Sequence, residues 1–295
     1  MKIKLQIKRL IEKYYLPYSK LRKLISYINK FKYEINDVYA SYLSRSLRPV
    51  ITPYGFMLVG SKSIHHIAMQ KGTFEPAEVS LFEAEFKQSD VFVDVGANIG
   101  FYSCIAKTLG KHVIAIEPLP KNLNYLLENL SANHWDDVEI FPVGLSEKPG
   151  FATLYGASST GASLIGSWAG ASQRFKRRIA ISTLDVLLGN RFASKKLFIK
   201  IDVEGVEYSV LQGSILTLGR HPKPTWVIEI CLNEYHPNGM NPNYENIFNL
   251  FWNYGYSIHT ADLRNLLITP CDVKRWVENG VCDSGTINYK FSSSQ

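Results

Sequence analysis

Five short runs rich in valine and isoleucine, at Val91–Val95, His112–Glu117, Val138–Val143, Leu197–Asp202 and Thr225–Ile230, follow one another after residue 90, most of them separated by helical stretches. A strand that is apolar along its whole length needs cover on both faces, and strands alternating with helices pair in parallel. The pattern therefore predicts an α/β sandwich: a mainly parallel sheet flanked by helices. Ser257–Thr260 and Thr286–Phe291 add two strands, an antiparallel hairpin at the sheet edge, for seven in all. Ahead of the sheet, Val50–Thr52 and Gly55–Val59 read as a short strand pair, followed by a helix near Pro76–Phe86.

Composition supports a folded chain. Of 295 residues, 46% are hydrophobic and 20% charged, which excludes a disordered or collagen-like protein. The expected division is a basic helical segment over 1–50, a lead-in over 51–90 and one α/β domain over 91–295. Cys104, Cys231, Cys271 and Cys282 form no C-x-x-C pair, so a zinc ribbon or disulfide scaffold is not expected, and a reducing compartment is. No run of about 18 apolar residues exists to span a bilayer. The expected location is the cytoplasm.

The net charge of +7 is uneven: residues 1–50 carry 12 Lys and Arg against 3 Asp and Glu. Ile3, Ile7, Leu10, Ile11 and Tyr14, and after Pro17 Leu21, Leu24, Ile25, Ile28 and Phe31, recur at helical spacing and predict two amphipathic helices. They either pack on the domain with their cations solvated, or bring residues 1–33 onto an anionic membrane at its inner face. Nucleic acid is not an expected partner, since no base-reading module follows. Nothing in the sequence sets an oligomeric state.

The most informative stretch is VFVDVGANIGFYS at 91–103, a strand running into a glycine turn and a helix through about Leu109. A dinucleotide fingerprint would read G-x-G-x-x-G, but Asp94 and Ile99 occupy its first and third glycine positions. An acid there repels phosphate and suits a ligand's ammonium group, while amides near Gly96 and Asn98 can hold a carboxylate. Glu117, ending the second strand, stands where ribose hydroxyls are held in βαβ nucleotide sites. An amino-acid end plus a ribose points to S-adenosylmethionine.

These residues resemble the FkbM-type S-adenosylmethionine-dependent methyltransferases over about 71–262. The resemblance rests on GTFEP at 72–76, VDVGANIGFY at 93–102, IEP at 116–118, GASL at 161–164, STLD at 182–185, KIDVEGVE at 200–207 and VIEI at 227–230. It implies a class I, Rossmann-like methyltransferase fold, and usually O-methylation of a sugar or secondary-metabolite hydroxyl, so the expected acceptor is a glycan, a glycolipid or a small molecule. The candidate cofactor residues are Asp94, Gly96, Ala97, Asn98, Gly100, Phe101, Ser103, Glu117, Pro118 and Asp202.

Asp202, Glu204 and Glu229 close the fourth and fifth strands and are the candidate catalytic residues. One of them could serve as the base that deprotonates a weakly nucleophilic hydroxyl. Alternatively the three could hold Mg²⁺, or be structural, with Glu204 capping the next helix and Glu229 paired with a buried cation. His259 is a second candidate base. Between the third and fourth runs, 13 of the 17 residues of 156–172 are Gly, Ala or Ser, with Arg174, Lys176, Arg177 and Arg178 close behind. This stretch is expected to be a mobile loop that builds no core element, either a lid over substrate or a plain surface excursion. A nicotinamide oxidoreductase and a non-catalytic cofactor-binding module recruited by the basic arm remain the competing readings.

Overall fold

The computed structural model describes residues 48–156, 161–171 and 173–293. The two helices expected within residues 1–33 lie outside them. A short antiparallel pair, β1 (Val50–Ile51) and β2 (Met57–Leu58), leads into α1 (Ile64–Lys71) and α2 (Pro76–Gln88). The main sheet then builds from β3 (Val91–Val95), α3 (Phe101–Thr108), β4 (His112–Ile116), α4 (Pro120–Ala132) and β5 (Glu139–Phe141).

A small second sheet follows, made of β6 (Gly144–Leu145), β7 (Gly150–Tyr155) and β8 (Lys176–Ser182). The chain returns through α5 (Leu184–Leu188), β9 (Leu197–Ile201), α6 (Glu207–Gln212), α7 (Ile215–Leu218) and β10 (Thr225–Glu229). It ends with α8 (Tyr244–Asn253), β11 (Tyr256–Thr260), α9 (Pro270–Asn279) and β12 (Asn288–Ser293).

The main sheet has seven strands in the order β11-β12-β10-β9-β3-β4-β5. β12 runs antiparallel to both its neighbours, and the other pairings are parallel. This is the class I methyltransferase architecture that the sequence leads one to expect, and the apolar runs lie where the strands do. The last two strands pair as expected but form no hairpin: α9 intervenes, and β12 inserts between β10 and β11, leaving β11 at the edge. Inserting there gives the tyrosine and phenylalanine of β12, Tyr289 and Phe291, cover on both sides, and both are fully buried.

Side chains alternate across a strand, so each sheet face has its own core. Val91, Val93, Ile199, Ile201 and Ile228 pack with α5, α6 and α8 on one side. Phe92, Phe198 and Val227 pack with α2, α3 and α4 on the other, where Phe86 lies 4.9 Å from Phe92 and Phe82 lies 4.9 Å from Phe198, both edge-on. Asp94, Lys200 and Glu229 belong by the same alternation to this aromatic face, and α2 lies over it.

α1 has no counterpart in the sequence reading. It is short and weakly patterned, and its start is set by Ser63, whose hydroxyl accepts a hydrogen bond from the His66 amide. The lead-in is clamped to α4 by two asparagines: the amides of Met57 and Val59 donate to Asn133 Oδ1 at 2.8 Å and Asn129 Oδ1 at 2.6 Å.

The glycine-rich segment departs from expectation. In its described part Ser163 and Trp168 are each 1% exposed, Ser163 bridges Tyr155, and Trp168 opens a 3₁₀ turn to Gly170. One large indole is enough to seat a stretch of small residues whose composition alone suggests a surface loop. Behind it, the basic cluster is not loop either: Lys176, Arg177 and Arg178 lie in β8, paired residue by residue with β7.

Candidate functional site

The site grows from the turn after β3. Gly96 has φ +84, and a Cβ there would lie 1.9 Å from the carbonyl oxygen of Asp202, so only glycine lets the first and fourth strand ends of the parallel core approach this closely. The amides of Gly96 and Ala97 donate to the Ile116 carbonyl at 3.0 and 3.1 Å, tying the turn to β4. Asn98, also at positive φ, donates its amide to Glu117 Oε2 at 2.8 Å, and Leu119 donates to Glu117 Oε1 at 2.8 Å. Glu117 is thus a buried strut between the glycine turn and the start of α4. Burial pushes its carboxyl up to about 7, against the pull of the two amides.

A cavity opens in front of these strand ends. Gly96, Asn98, Glu117, Pro118 and Asp202 line it, as the sequence leads one to expect, and Glu204 does so too. Other expected residues stand behind its wall. Asp94 is 1% exposed and accepts a 2.6 Å bond from the Ser103 hydroxyl; burial raises its pKa, partly offset by the Lys200 ammonium. Ala97, Gly100 and Phe101 support the turn from the aromatic core.

Among the catalytic candidates, Asp202 and Glu204 face the cavity and Glu229 does not. Lys200 Nζ donates to Asp202 Oδ2 at 2.9 Å, and Asp202 Oδ1 accepts no hydrogen bond among the described residues. Glu204 holds the glycine-rich segment: Oε1 accepts from the Gly161 amide at 3.0 Å, Oε2 from the Trp168 indole at 2.6 Å, and its carbonyl accepts from the Ser163 hydroxyl at 2.6 Å. It does not cap α6, whose start at Val206 has no side-chain cap. Glu229 forms no ion pair among the described residues; burial and then the Asp202 charge keep its carboxyl well above the usual range. His259 lies on β11 away from the cavity, with burial lowering its pKa. Among the described residues no three His, Cys, Asp or Glu side chains stand together as a metal would need.

Sequence reasoning overlooked the groups around Lys200. Its ammonium lies 5.3 Å from the Tyr102 ring centre; Tyr102 donates to Glu75 Oε2 at 2.7 Å, and Asn288 donates its side-chain amide to Glu78. A lone lysine inside an otherwise apolar strand, FIKI at 198–201, is the signal that such a network exists. The cavity is also lined by Leu154 of β7 and by Gly161, Ala162 and Leu164 of the segment read as a loop.

The buried carboxyls set the pH dependence. From an ordinary 4.5, burial first and neighbouring acids second raise Glu204 to about 7 and Glu207 and Glu78 to about 8, alongside Glu117. Each binds its proton more tightly folded than unfolded, so between about pH 4.5 and 8 the folded chain holds more protons and stability falls as pH rises. The ligand-free protein is expected to melt at its highest temperature near pH 5 and progressively lower toward pH 8. A melting temperature that is flat or rising over that range at fixed ionic strength would contradict these assignments.

Residues 94–258 match the family described as the methyltransferase FkbM domain. No curated protein matches the chain. Among solved structures, it resembles the methyltransferase FkbM from Methylobacillus flagellatus KT at 22% identity and a TM-score of 0.42, covering 69% of this chain and 43% of that one. The precorrin-6y C5,15-methyltransferase from Geobacter metallireducens GS-15 is 12% identical, with a TM-score of 0.39 and coverage of 75% and 90%. A SAM-dependent methyltransferase from Aquifex aeolicus is 16% identical, with a TM-score of 0.33 and coverage of 61% and 80%. The chain spans less than half the length of the M. flagellatus protein. With more than half of its residues matched, the chain belongs to the methyltransferase FkbM domain family.

Proposed function

We propose that the cavity binds S-adenosylmethionine and that the protein transfers its methyl group to a hydroxyl of a glycan, glycolipid or related small acceptor. The observation that carries this reading is the arrangement of Glu117 and Asp202 on one cavity, on either side of the Gly96 turn. The cavity residues fit the cofactor. Glu117 accepts the amides of Asn98 and Leu119 and a bond from the Asn122 side chain, which leaves one of its four lone-pair sites for a ribose hydroxyl. The turn at Gly96–Asn98 brings backbone close to the ligand, and no phosphate-cradling glycine pattern competes.

S-adenosylmethionine supplies an electrophilic methyl group on a sulfonium. The protein's part is to align the acceptor oxygen and remove its proton as the new C–O bond forms. Asp202 is the residue for this, because Lys200 anchors Oδ2 and leaves Oδ1 to accept the acceptor's hydroxyl proton. Glu204 acts at one remove: with both oxygens engaged by Gly161 and Trp168, it holds the cavity wall in place and is a positioning residue.

Labelled S-adenosylmethionine incubated with glycan, lipid and small-molecule fractions should yield a methylated hydroxyl product. Glu117→Ala should weaken cofactor binding at least about tenfold in calorimetry, since a charge-assisted hydrogen bond to the ribose is lost. Unchanged affinity in that variant would sink the ribose assignment, and NADH binding of comparable strength would favour an oxidoreductase.

A further inference from the structure

The charge around the cavity is segregated. Glu117, Asp202 and Glu204 line it, whereas cations gather on β8, the strand paired with β7, whose Leu154 is part of the lining. In an antiparallel pair, residues directly opposite share a face and sit side by side. Arg177 is opposite Leu154, and Leu154 lines the cavity. Ile179, on the same face of β8, would lie 3.1 Å from a Cβ at Gly144, another lining residue, so this face of β8 adjoins residues of the cavity. Arg177 is half-buried, and Lys176 and Arg178 flank it on the outer face, where Arg178 lies over the Phe151 ring at 5.7 Å. None of the three has a carboxylate partner among the described residues.

A half-buried guanidinium on the strand next to the cavity lining, with no carboxylate partner among the described residues, serves no purpose in holding the cofactor's cationic sulfonium, and it repels a cationic acceptor. Its planar fork suits an oxyanion. Three consecutive cations match the roughly −1.5 to −2 charge of a phosphate ester better than the single charge of a carboxylate. We propose that Arg177, supported by the field of Lys176 and Arg178, is the specificity determinant for a phosphate ester carried by the sugar acceptor. The inference rests on the methyltransferase reading and narrows its acceptor: the hydroxyl to be methylated faces Asp202 while the phosphate lies toward β8.

Calorimetry on the full chain with a hexose 1-phosphate, a hexuronate and the neutral hexose tests this, with S-adenosylmethionine affinity measured on the same samples. The hexose phosphate should bind best, and more weakly as salt rises. Arg177→Gln should cut that affinity by at least about tenfold, Arg177→Lys by less because it keeps the charge and loses only the fork, and both should leave S-adenosylmethionine affinity unchanged. The proposal is overturned by no saturable hexose phosphate binding, by equal affinity for the neutral hexose, by tighter binding of the hexuronate, or by an Arg177→Gln variant that binds as the unmodified chain does. If these occur while S-adenosylmethionine still binds, only the anion site fails; if the unmodified chain does not bind S-adenosylmethionine, the methyltransferase reading fails with it.

Discussion

Replacing Asp202 with asparagine is expected to lower methyl-transfer turnover by about 10²–10⁴-fold while changing S-adenosylmethionine affinity by no more than a few fold. Asparagine keeps the side-chain volume and can still accept from Lys200 through its oxygen, so the 2.9 Å contact has a substitute. What it cannot do is take a proton from an acceptor hydroxyl at the other position. Steady-state kinetics with saturating cofactor, together with a melting curve, separates the two roles. A variant that keeps more than about a tenth of the turnover removes Asp202 as the base. One that melts far lower and loses cofactor binding in parallel marks Asp202 instead as the counter-charge that keeps buried Lys200 tolerable.

The second large effect is expected at Gly96. Its alanine variant would place a methyl group 1.9 Å from the Asp202 carbonyl oxygen and 3.0 Å from the carbonyl carbon, both backbone atoms that cannot swing aside, at a φ of +84. Positive φ alone costs a non-glycine residue about 1–3 kcal/mol, and the clash adds the displacement of one strand end from another. The turn and the Asp202 backbone must separate, which moves Asn98, Glu117 and Asp202 relative to one another. S-adenosylmethionine affinity should fall by about 10²-fold or more, with a clear loss in urea midpoint. Affinity within twofold of the unmodified chain would show that the turn is not part of the cofactor site.

The contrast between Glu117 and Glu204 shows how far a strand-end acid can be read in advance. Both follow apolar runs and both reach the cavity. The role of Glu117 follows from its own strand and the glycine turn one βα unit earlier, elements adjacent in the chain. The role of Glu204 depends on Trp168 and Gly161, brought to it from outside its own βα unit. Gly205 next to it must lack a side chain because a Cβ there would meet the Trp168 ring at 2.3 Å, a demand no local pattern reveals.

The sequence by itself determined the sheet. Val91–Val95, Leu197–Ile201 and their companions are apolar on both faces, and burying such strands requires helices on each side, so layer count and strand direction follow from periodicity alone. It also made the turn at the tip of β3 legible, because Gly96, Asn98 and Glu117 are joined through backbone geometry that neighbouring residues impose. Only the tertiary structure decided which residues share the cavity. Asp94, close to the turn, is sealed beneath it with Ser103, while Gly161, Ala162 and Leu164, from a segment whose composition suggests no core, line the cavity. It likewise decided that Lys200 keeps company with Asp202, Tyr102 and the acids of α2. Contacts of that kind join segments far apart in the chain, and which of them form depends on how two sheet faces and a buried indole pack, a cooperative outcome that local spacing does not encode.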